Sequence, residues 1–433
     1  MAKVVIIGAG SWFCQRMIVD IMSFPELRET TFGLVDINPD HLAPATQYAK
    51  RVVELHGSGA KIQSTTNRRE VLEGADYVIV SIAAGGPAYR GPAYYADVAI
   101  PQKYGVEQSV ADTIGPGGVF RTLRAAPIML GICRDMEELC PDALLINYTN
   151  PMAMLCWAMN KATRIKNVGL CHSVQGTSHD IARYIGAPYE EVSYWCAGIN
   201  HMAWFLEYRW NGEDAYPLLR KAMDNPEIWA KDTVKFEILR HFGYFVTEST
   251  YHMSEYVPYF RKRKETMEQL GLRRNSPNPD GTETRWTKAD SPLMRQAAGD
   301  EPIDLKGSQE YASHIIHSME TNAPFRINGN VQNRGLIANL PEGCCVEVPC
   351  LVDGQGIHPC YVGDLPGQLA ALNRSNIAVQ QMTVEAVLEE SREKAYYALA
   401  LDPLTSAVCT LPEIRSMFDE MCEAEKEWVG YLR

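Results

Sequence analysis

A cysteine and two histidines stand where apolar runs end. Cys171 and His172 lie in VGLCHSVQG, and His201 follows in GINHMAWF. A thiolate and an imidazole from separate segments can ligate one divalent cation, and two protein ligands leave positions open for water or substrate, as a catalytic metal requires. The alternative is a buried cysteine near a hydrogen-bonded core histidine. The pattern therefore raises the hypothesis of a metal site.

The N-terminal stretch VVIIGAGS has the composition of a dinucleotide-binding turn. Gly8, Gly10 and Ser11 follow an apolar strand and open a helix, where backbone N–H groups stabilise a pyrophosphate. The third glycine of the usual fingerprint is replaced by Phe13. Asp36 ends the second predicted strand, and a carboxylate there binds a ribose 2′-hydroxyl and repels a 2′-phosphate. We therefore predict NAD rather than NADP; the alternative is a tight turn without a ligand.

Asn150-Pro151 and Cys171-His172 each end a predicted strand. In open α/β sheets the carboxyl ends of the strands form the ligand-binding edge, so these groups should lie together, which favours the metal site. The layout is similar to that of lactate and malate dehydrogenases, which carry an Asn-Pro after a strand and a catalytic histidine further on, near the place of His201. Cys171 and His172 do not belong to that pattern.

The elements that position these residues change character near residue 190. Strands alternate with helices before it, which is typical of a parallel sheet covered by helices. Aromatic and β-branched stretches beyond it indicate antiparallel strands. We predict an α/β fold: a Rossmann-type, doubly wound parallel sheet over 1–190, and an α+β domain for substrate, metal and oligomerisation over 191–433, as in the lactate/malate dehydrogenase-like fold.

Three loops are predicted within this framework. Gly115–Gly118 is expected to form a turn before a long helix. The polar, proline-containing segment 272–305 is expected to be a mobile loop or lid. Arg90, in the loop after the fourth strand, is a candidate contact for a sugar or a cofactor.

Composition excludes several classes of protein. The 433 residues carry 41 Lys and Arg against 53 Asp and Glu, a net charge of −12, which argues against nucleic acid or an anionic membrane as partner. No signal peptide is recognisable, and no apolar window approaches the roughly 18 residues of a membrane span. Twelve cysteines in such a chain are expected to be reduced thiols. We therefore expect a cytoplasmic protein.

With these residues in hand, the chain resembles glycoside hydrolase family 4, the NAD- and divalent-metal-dependent glycosidases. The resemblance runs from residue 3 to near the C-terminus and depends on the motifs GAGS, YGVEQSVADTIGPGGVFRTLR, NYTNPMAM, GLCHSVQGT, AGINHMA and CCVEVPCLVD. The motifs CHSVQG and GINHMA are similar to those of the α-galactosidase (melibiase) branch. Branches that act on 6-phosphoglycosides usually have another residue after the cysteine, so His172 implies an unphosphorylated sugar.

The resemblance implies a mechanism unlike the two-carboxylate displacement of most glycosidases. Bound NAD oxidises the sugar at C3, which acidifies the C2 proton. A base removes that proton, the aglycone leaves from C1, water adds, and NADH reduces C3 again. A metal chelates the C2 and C3 oxygens and stabilises the enediolate as a Lewis acid.

The resemblance also implies roles for individual residues. Cys171 and His201 would be the metal ligands, and Asn150 would hold the substrate hydroxyls. Ligand softness favours zinc, iron or cobalt for a thiolate and an imidazole, whereas the resemblance implies Mn(II), which we adopt. His172 would protonate the leaving oxygen, in the place where some relatives carry an aspartate.

The base at C2 is less closely defined, because VTESTYHMSEY departs from the pattern of the relatives. His252 is our candidate, with Tyr251, Glu248 and Tyr256 as rivals.

The predicted substrate is an α-galactoside, and the resemblance implies a homodimer or a homotetramer. The sequence does not place the sugar's C4 hydroxyl, so α-glucosidase and α-glucuronidase remain alternatives. An NAD-dependent 2-hydroxy acid dehydrogenase is the alternative from another reaction class. A non-catalytic NAD-sensing protein is a third possibility. Neither of these would need a metal site open to substrate.

Overall fold

The N-terminal half forms a parallel sheet in the order β3-β2-β1-β4-β5-β6. A computed structural model describes residues 1–86, 91–273 and 291–433. Four of the six strands are buried apolar runs, as expected for a sheet covered on both faces. The strands are β1 (Lys3–Ile7), β2 (Thr31–Val35), β3 (Lys61–Thr65), β4 (Tyr77–Val80), β5 (Leu144–Asn147) and β6 (Asn167–Gly169). This order is that of dinucleotide-binding sheets.

The chain winds outward from β1 in two directions, and right-handed crossovers then place the two sets of helices on opposite faces of the sheet. The helices of this half are α1 (Trp12–Ser23), α2 (Pro39–His56), α3 (Arg69–Leu72), α4 (Pro92–Lys103), α5 (Gly115–Leu139), α6 (Met152–Ala162) and α7 (Ser173–Ile185), with 3₁₀ turns at Pro25–Leu27 and Tyr189–Glu191. Helix α1 packs on α2, and α5 packs on α6. The doubly wound prediction is therefore confirmed.

An antiparallel extension continues the same sheet beyond β6. Its strands are β7 (Val192–Ile199), β8 (Met202–Trp210), β9 (Glu213–Asp214), β10 (Phe325–Gln332), β11 (Cys345–Asp353) and β12 (Gly356–Pro359). Strand β10 pairs antiparallel with β6, and β11, β7, β8 and β9 follow in that order. The predicted α+β character of the second half is confirmed, and the boundary near residue 190 stays a prediction.

Helices surround this extension. They are α8 (Tyr216–Ala222), α9 (Pro226–Trp229), α10 (Thr233–Phe242), α11 (Thr250–Tyr256), α12 (Lys264–Gln269), α13 (Pro292–Ala298), α14 (Tyr311–Thr321), α15 (Gly367–Leu388), α16 (Arg392–Leu401), α17 (Pro403–Val408), α18 (Leu411–Ala424) and α19 (Lys426–Val429). Helix α15 packs on α5 and α6 of the first half, so one apolar core runs through both halves. In the described part of the chain no helix is both long and apolar enough to cross a membrane.

The sequence predicts that Gly115–Gly118 forms a turn before the helix, and this prediction is wrong. These residues are already helical and form the N-terminal end of α5. The glycines are needed there for close packing. A Cβ atom on Gly117 would lie 2.7 Å from the carbonyl oxygen of Ala111, and one on Gly118 would lie 2.5 Å from the carbonyl carbon of Thr113. The helix therefore begins directly against the loop that precedes it.

The predicted loop 272–305 is described only in part. Residues 291–305 contain α13, whose first turn is capped by Ser291, so this end is not the structureless loop that the sequence predicted. Residues 274–290 and Arg90 lie outside the described residues.

Candidate active site

The glycine turn after β1 is shaped by close backbone contacts. Gly8 has a φ of +91°, and a Cβ atom there would lie 2.0 Å from the carbonyl oxygen of Ser81. The N–H of Gly10 donates to Oδ2 of Asp36 at 2.9 Å. A Cβ on Gly10 would lie 2.7 Å from that same oxygen. Both positions therefore require glycine, and the hydrogen bond from Gly10 holds the carboxylate of Asp36 beside the turn.

The end of α1 that faces this turn can accept an anion. Ser11 is the N-cap of α1, and its side chain makes no capping hydrogen bond. Its Oγ atom is buried and has no hydrogen-bond partner within the described ranges. A helix N-terminus with free N–H groups and an unpaired hydroxyl binds phosphate oxygens. The turn therefore has the chemistry to hold a dinucleotide.

A second set of groups gathers at the carboxyl edge of the sheet. Cys171 follows β6, His201 lies in the turn between β7 and β8, and Glu248 precedes α11. One ligand atom from each lies within 4.8 Å of the others. Oε2 of Glu248 is 3.9 Å from Sγ of Cys171 and 4.0 Å from Nε2 of His201. A sulfur, a nitrogen and an oxygen at this spacing can surround one divalent cation at bond lengths of about 2.0–2.3 Å.

Local structure holds His201 and Glu248 in place. Nδ1 of His201 lies 3.2 Å from the hydroxyl of Thr113, which leaves Nε2 for a cation. Glu248 has a φ of +69°, a left-handed conformation that costs a non-glycine residue about 1 kcal/mol or more. Its N–H donates to Oγ1 of Thr177 at 3.1 Å. Strain of this kind clusters at functional sites because the surrounding structure must enforce it.

A second group shares His201 with the first. Ligand atoms of Asp112, His201 and His252 also lie within 4.8 Å of one another. Nε2 of His252 is 3.3 Å from Oδ1 of Asp112, and its Nδ1 is 3.5 Å from Oε1 of Glu248. Nδ2 of Asn150 donates to Oδ2 of Asp112 at 3.2 Å. Asp112 thus links the predicted substrate ligand to the predicted base.

The charges of this site favour a bound cation. Burial raises the pKa of the Cys171 thiol, and the nearby carboxylates of Glu248 and Glu347 raise it further. Without a positive charge Cys171 is therefore a protonated thiol, and a coordinated cation converts such a thiol to the thiolate. Burial opposes ionisation of Asp112, but His252 and His201 hold its pKa below the usual range.

Glu347 is a further carboxyl group behind these ligands. Its side chain is fully buried, and neither carboxylate oxygen has a hydrogen-bond partner among the residues that the structure describes. It lies on β11, opposite Asn330 of β10 and Gly198 of β7. Burial raises its pKa to about 8, with His201 opposing the shift and Glu248 adding to it. A cation at the neighbouring ligands would offset the cost of ionising this group.

His172 points to a different partner from its neighbour Cys171. Its side chain is exposed, and Nε2 contacts Oε1 of Glu310. The hydroxyl of Tyr148 donates to the other oxygen of Glu310 at 3.3 Å. The hydrogen bond to Glu310 raises the pKa of His172 against an opposing effect of burial. An imidazole that keeps its proton is suited to donate it.

The rivals for the base differ in position. Burial would lower the pKa of His252, but Asp112 raises it overall. The hydroxyl of Tyr256 accepts from the N–H of His201 at 3.5 Å and is buried. Tyr251 lies under the guanidinium of Arg273, 4.3 Å from the ring centre. The structure therefore brings Glu248, Tyr256 and His252 to His201, whereas Tyr251 contacts Arg273.

Three site residues were not predicted from the sequence: Asp112, Glu310 and Glu347. Glu347 carried a signal, because it is an acidic residue inside the otherwise apolar run CVEVPCLV. Asp112 lies in one of the motifs on which the family resemblance depends. Glu310 has no signal in the sequence, since only the packing of α14 brings it to His172.

Comparison with solved structures confirms the fold. A putative glucosidase of Bacillus subtilis, LplD, superimposes with a TM-score of 0.86 at 24% identity, over 97% of this chain and 99% of that one. A 6-phospho-α-glucosidase from gut microorganisms, solved with NAD and Mn²⁺, matches with a TM-score of 0.78 at 22% identity, over 98% of both chains. Plasmodium falciparum malate dehydrogenase matches with a TM-score of 0.51 at 16% identity, over 92% of this chain and all of that one. The dehydrogenase-like fold is therefore shown.

Sequence relatives and family models define the family. An α-galactosidase of Bacillus subtilis is 41% identical over 99% of both chains. An α-galactosidase of Rhizobium meliloti is 37% identical over 99% of this chain and 89% of its own. The family 4 glycosyl hydrolase model matches residues 3–187, and the model of that family's C-terminal domain matches 196–405. This chain therefore belongs to glycosyl hydrolase family 4.

Proposed function

We propose that the protein is an α-galactosidase that cleaves unphosphorylated α-galactosides with the help of bound NAD and a divalent cation, Mn(II). The observation that carries the proposal is the convergence of Cys171, His201 and Glu248 at the edge of a dinucleotide-binding sheet. The α-galactosidases at 41% and 37% identity support the choice of sugar. The structure solved with NAD and Mn²⁺ supports the choice of cofactors.

The two cofactors would occupy adjoining sites. Gly8, Gly10 and Ser11 would receive the pyrophosphate of NAD, and Asp36 the adenosine ribose. Cys171, His201 and Glu248 would hold the cation. When bound, NAD would supply the capacity to accept a hydride from the sugar and to return it, and the cation would supply Lewis-acid stabilisation of charge on the sugar oxygens.

The chain's own residues would then orient the sugar and move protons. Asn150 would hold the sugar hydroxyls, and its bond to Asp112 fixes the direction of its amide. His252 would remove the proton from C2 in its neutral form, because it lies beside the ligand group and the carboxylates of Asp112 and Glu248 stabilise the imidazolium that results. Glu248 is needed for the cation in this arrangement, so it is not our candidate for the base.

His172 would protonate the oxygen of the leaving group. Its exposed position lets it face an aglycone that enters from solvent. Glu310 would hold the ring and favour the protonated form. The family resemblance implies that branches acting on 6-phosphoglycosides usually have another residue after the cysteine, so His172 supports an unphosphorylated substrate.

The test is hydrolysis of p-nitrophenyl α-galactoside in deuterated water, with NAD, Mn(II) and a reductant. We expect nitrophenol release together with deuterium at C2 of the galactose. Release without exchange, or without a need for NAD, would contradict the mechanism. Faster cleavage of the α-glucoside or the α-glucuronide would contradict the sugar. Chelator-insensitive oxidation of 2-hydroxy acids would establish the dehydrogenase alternative.

A pair of cysteine variants makes the assay specific for the metal site. Cys171→Ser should abolish activity, because a hydroxyl replaces the thiolate ligand. Cys360→Ser changes a half-buried cysteine after β12 and should leave activity unchanged. Equal activity of the two variants would remove Cys171 from the mechanism.

We also propose a homodimer or homotetramer, which light scattering of the purified protein tests.

A further inference from the structure

Glu255 occupies an unusual position on α11. It is 3% exposed, and its carboxylate accepts hydrogen bonds from three consecutive backbone N–H groups. Oε1 accepts from Ser109 at 2.5 Å and from Val110 at 2.8 Å, and Oε2 accepts from Ala111 at 3.1 Å. We call the three amides of residues 109–111 the 109–111 nest, because successive N–H groups of this kind form an anion-binding concavity.

The backbone of the 109–111 nest is not in a relaxed conformation. Ala111 has a φ of +54°, a left-handed conformation that is strained for a residue with a Cβ atom. The first turn of α5 packs closely against the same residue, since a Cβ atom on Gly117 would lie 2.7 Å from its carbonyl oxygen. The negative charge of Glu255 offsets this strain through charge-assisted hydrogen bonds. The carboxylate of Glu255 therefore occupies the concavity that this strained backbone forms.

Asp112 follows the nest directly, so the nest sets its position. Asp112 lies 3.3 Å from Nε2 of His252 and accepts from Asn150 at 3.2 Å. His252 is three residues before Glu255 on α11, and residues at this spacing share a helix face. One face of α11 therefore contacts the loop at two points: His252 contacts Asp112, and Glu255 accepts hydrogen bonds from the 109–111 nest.

The buried side chain of Arg261 supports the other side of the loop. Its Nε donates to Oγ of Ser254 at 2.7 Å and its Nη1 to the carbonyl oxygen of Glu107 at 3.2 Å. Its Nη2 contacts Oγ of Ser109. The segment 107–111 is therefore fixed by charged groups on two sides, although it forms no helix or strand.

We propose that Glu255 is a positioning residue. By filling the 109–111 nest, its carboxylate sets Asp112 against His252 and Asn150, and so aligns the base and the substrate ligand. The catalytic consequence rests on the proposed function. The positioning itself concerns backbone amides and holds for the free protein.

The test uses Glu255→Ala, which empties the nest, and Glu255→Gln, which keeps the shape but removes the charge. Amide hydrogen exchange is measured at 109–111 in the free protein, with and without formate, and with chloride at the same ionic strength. Exchange should be faster in both variants, and formate, but not chloride, should restore protection in Glu255→Ala. Glu413→Gln is the matched control: its carboxylate accepts from the backbone N–H of Thr410 in the cap of α18, and exchange at 109–111 should not change.

Activity supplies the second readout. In Glu255→Ala, kcat for p-nitrophenyl α-galactoside should fall about 100-fold, as expected for a small misalignment of a catalytic group. KM should change much less, formate should restore part of kcat, and the kinetic isotope effect of C2-deuterated substrate should rise. A purely structural glutamate would leave the isotope effect and the formate response unchanged.

The outcomes are separable. Unchanged exchange at 109–111 overturns the positioning, as does exchange that increases without a formate response. If exchange at 109–111 is faster in the variants but kcat is unchanged, Glu255 positions the nest without affecting catalysis, and the catalytic part of the proposal is wrong. If Glu255→Ala does not fold, exchange and the isotope effect in Glu255→Gln decide. A wild-type protein without galactosidase activity overturns the proposed function alone, and the exchange data then decide the positioning.

Discussion

Sγ of Cys171 lies 3.9 Å from Oε2 of Glu248, although 77 positions separate them along the chain. The contact joins the end of the parallel sheet to the segment before α11. Burial keeps the thiol of Cys171 protonated, and such a thiol donates only a weak hydrogen bond to the carboxylate of Glu248. Both gain from a cation placed between them, which makes Glu248 a metal ligand in our interpretation rather than the base.

Replacement of Glu248 by glutamine is therefore expected to weaken metal binding. The variant keeps the shape of the side chain and loses the negative charge, so Mn(II) affinity should fall at least about tenfold. The measurement is competition between metal-free protein and a fluorescent chelator. Glu207→Gln, in an exposed ion pair with Arg209 on β8, is the control. Equal affinity of wild type and Glu248→Gln would return Glu248 to the candidates for the base.

Asp36 is expected to set the preference for NAD. Its carboxylate binds the N–H of Gly10 and retains lone pairs for a ribose hydroxyl. Loss of a charged hydrogen bond costs about 1.5–3 kcal/mol, so Asp36→Ala should weaken NAD about 10- to 100-fold. The affinity of this variant for NADP should fall less than its affinity for NAD, or should rise, because the repulsion between Asp36 and the 2′-phosphate is removed. Calorimetric titration measures both.

Asp40→Asn provides the comparison for Asp36, since Asp40 is an exposed acid in the first turn of α2. It should leave both affinities unchanged. An unaltered ratio of NAD to NADP affinity in Asp36→Ala would mean that another group reads the ribose.

The dinucleotide turn and the parallel, helix-covered character of the first half are predictable from the sequence because both depend on local patterns. Apolar runs alternate with helical segments, and a glycine pair at a strand end has few other uses. Cys171 and Asn150 were placed at one edge by the same logic, since they end neighbouring parallel strands. The nearness of His201 depended on its order in the chain and on the family resemblance.

The remaining site residues depend on contacts that no local pattern encodes. Glu310 reaches His172 only because α14 packs beside α1. The sequence predicts a turn at Gly117 because glycine favours turns, whereas in the structure its small size allows close packing of a helix on a loop. Glycine has both uses, and the choice between them requires the neighbour.

His172 and Glu310 are expected to act on the leaving group. General acid catalysis contributes about 10²–10⁴-fold, so His172→Ala should lower kcat for methyl α-galactoside about 100-fold or more. The loss for p-nitrophenyl α-galactoside should be much smaller, because nitrophenolate leaves without a proton. Glu310→Gln should show the same pattern to a smaller extent.

His179→Asn changes a half-buried histidine of α7, which stacks on Tyr189, and should affect neither substrate. Equal losses for the two leaving groups in His172→Ala would exclude the acid role.

Glu347 is expected to make the stability of the metal-free protein depend on pH. Its pKa is about 8 in the folded chain, against an ordinary value of 4.5. Below pH 4.5 both states hold the proton, so there is no effect. Between 4.5 and 8 the unfolded chain releases the proton and the folded chain keeps it. The free energy of unfolding therefore falls by up to about 1.4 kcal/mol per pH unit, and the loss levels off above pH 8.

Urea unfolding in the presence of a chelator measures this effect between pH 5 and 8. Glu347→Gln has no such proton to release, so its stability should exceed that of the wild type by a margin that grows with pH. Glu342→Gln, an exposed glutamate before β11, should follow the wild type. Mn(II) should narrow the margin, because a cation beside Cys171 and His201 stabilises the ionised carboxylate. Parallel profiles for wild type and Glu347→Gln would mean that the buried carboxyl group titrates in its ordinary range.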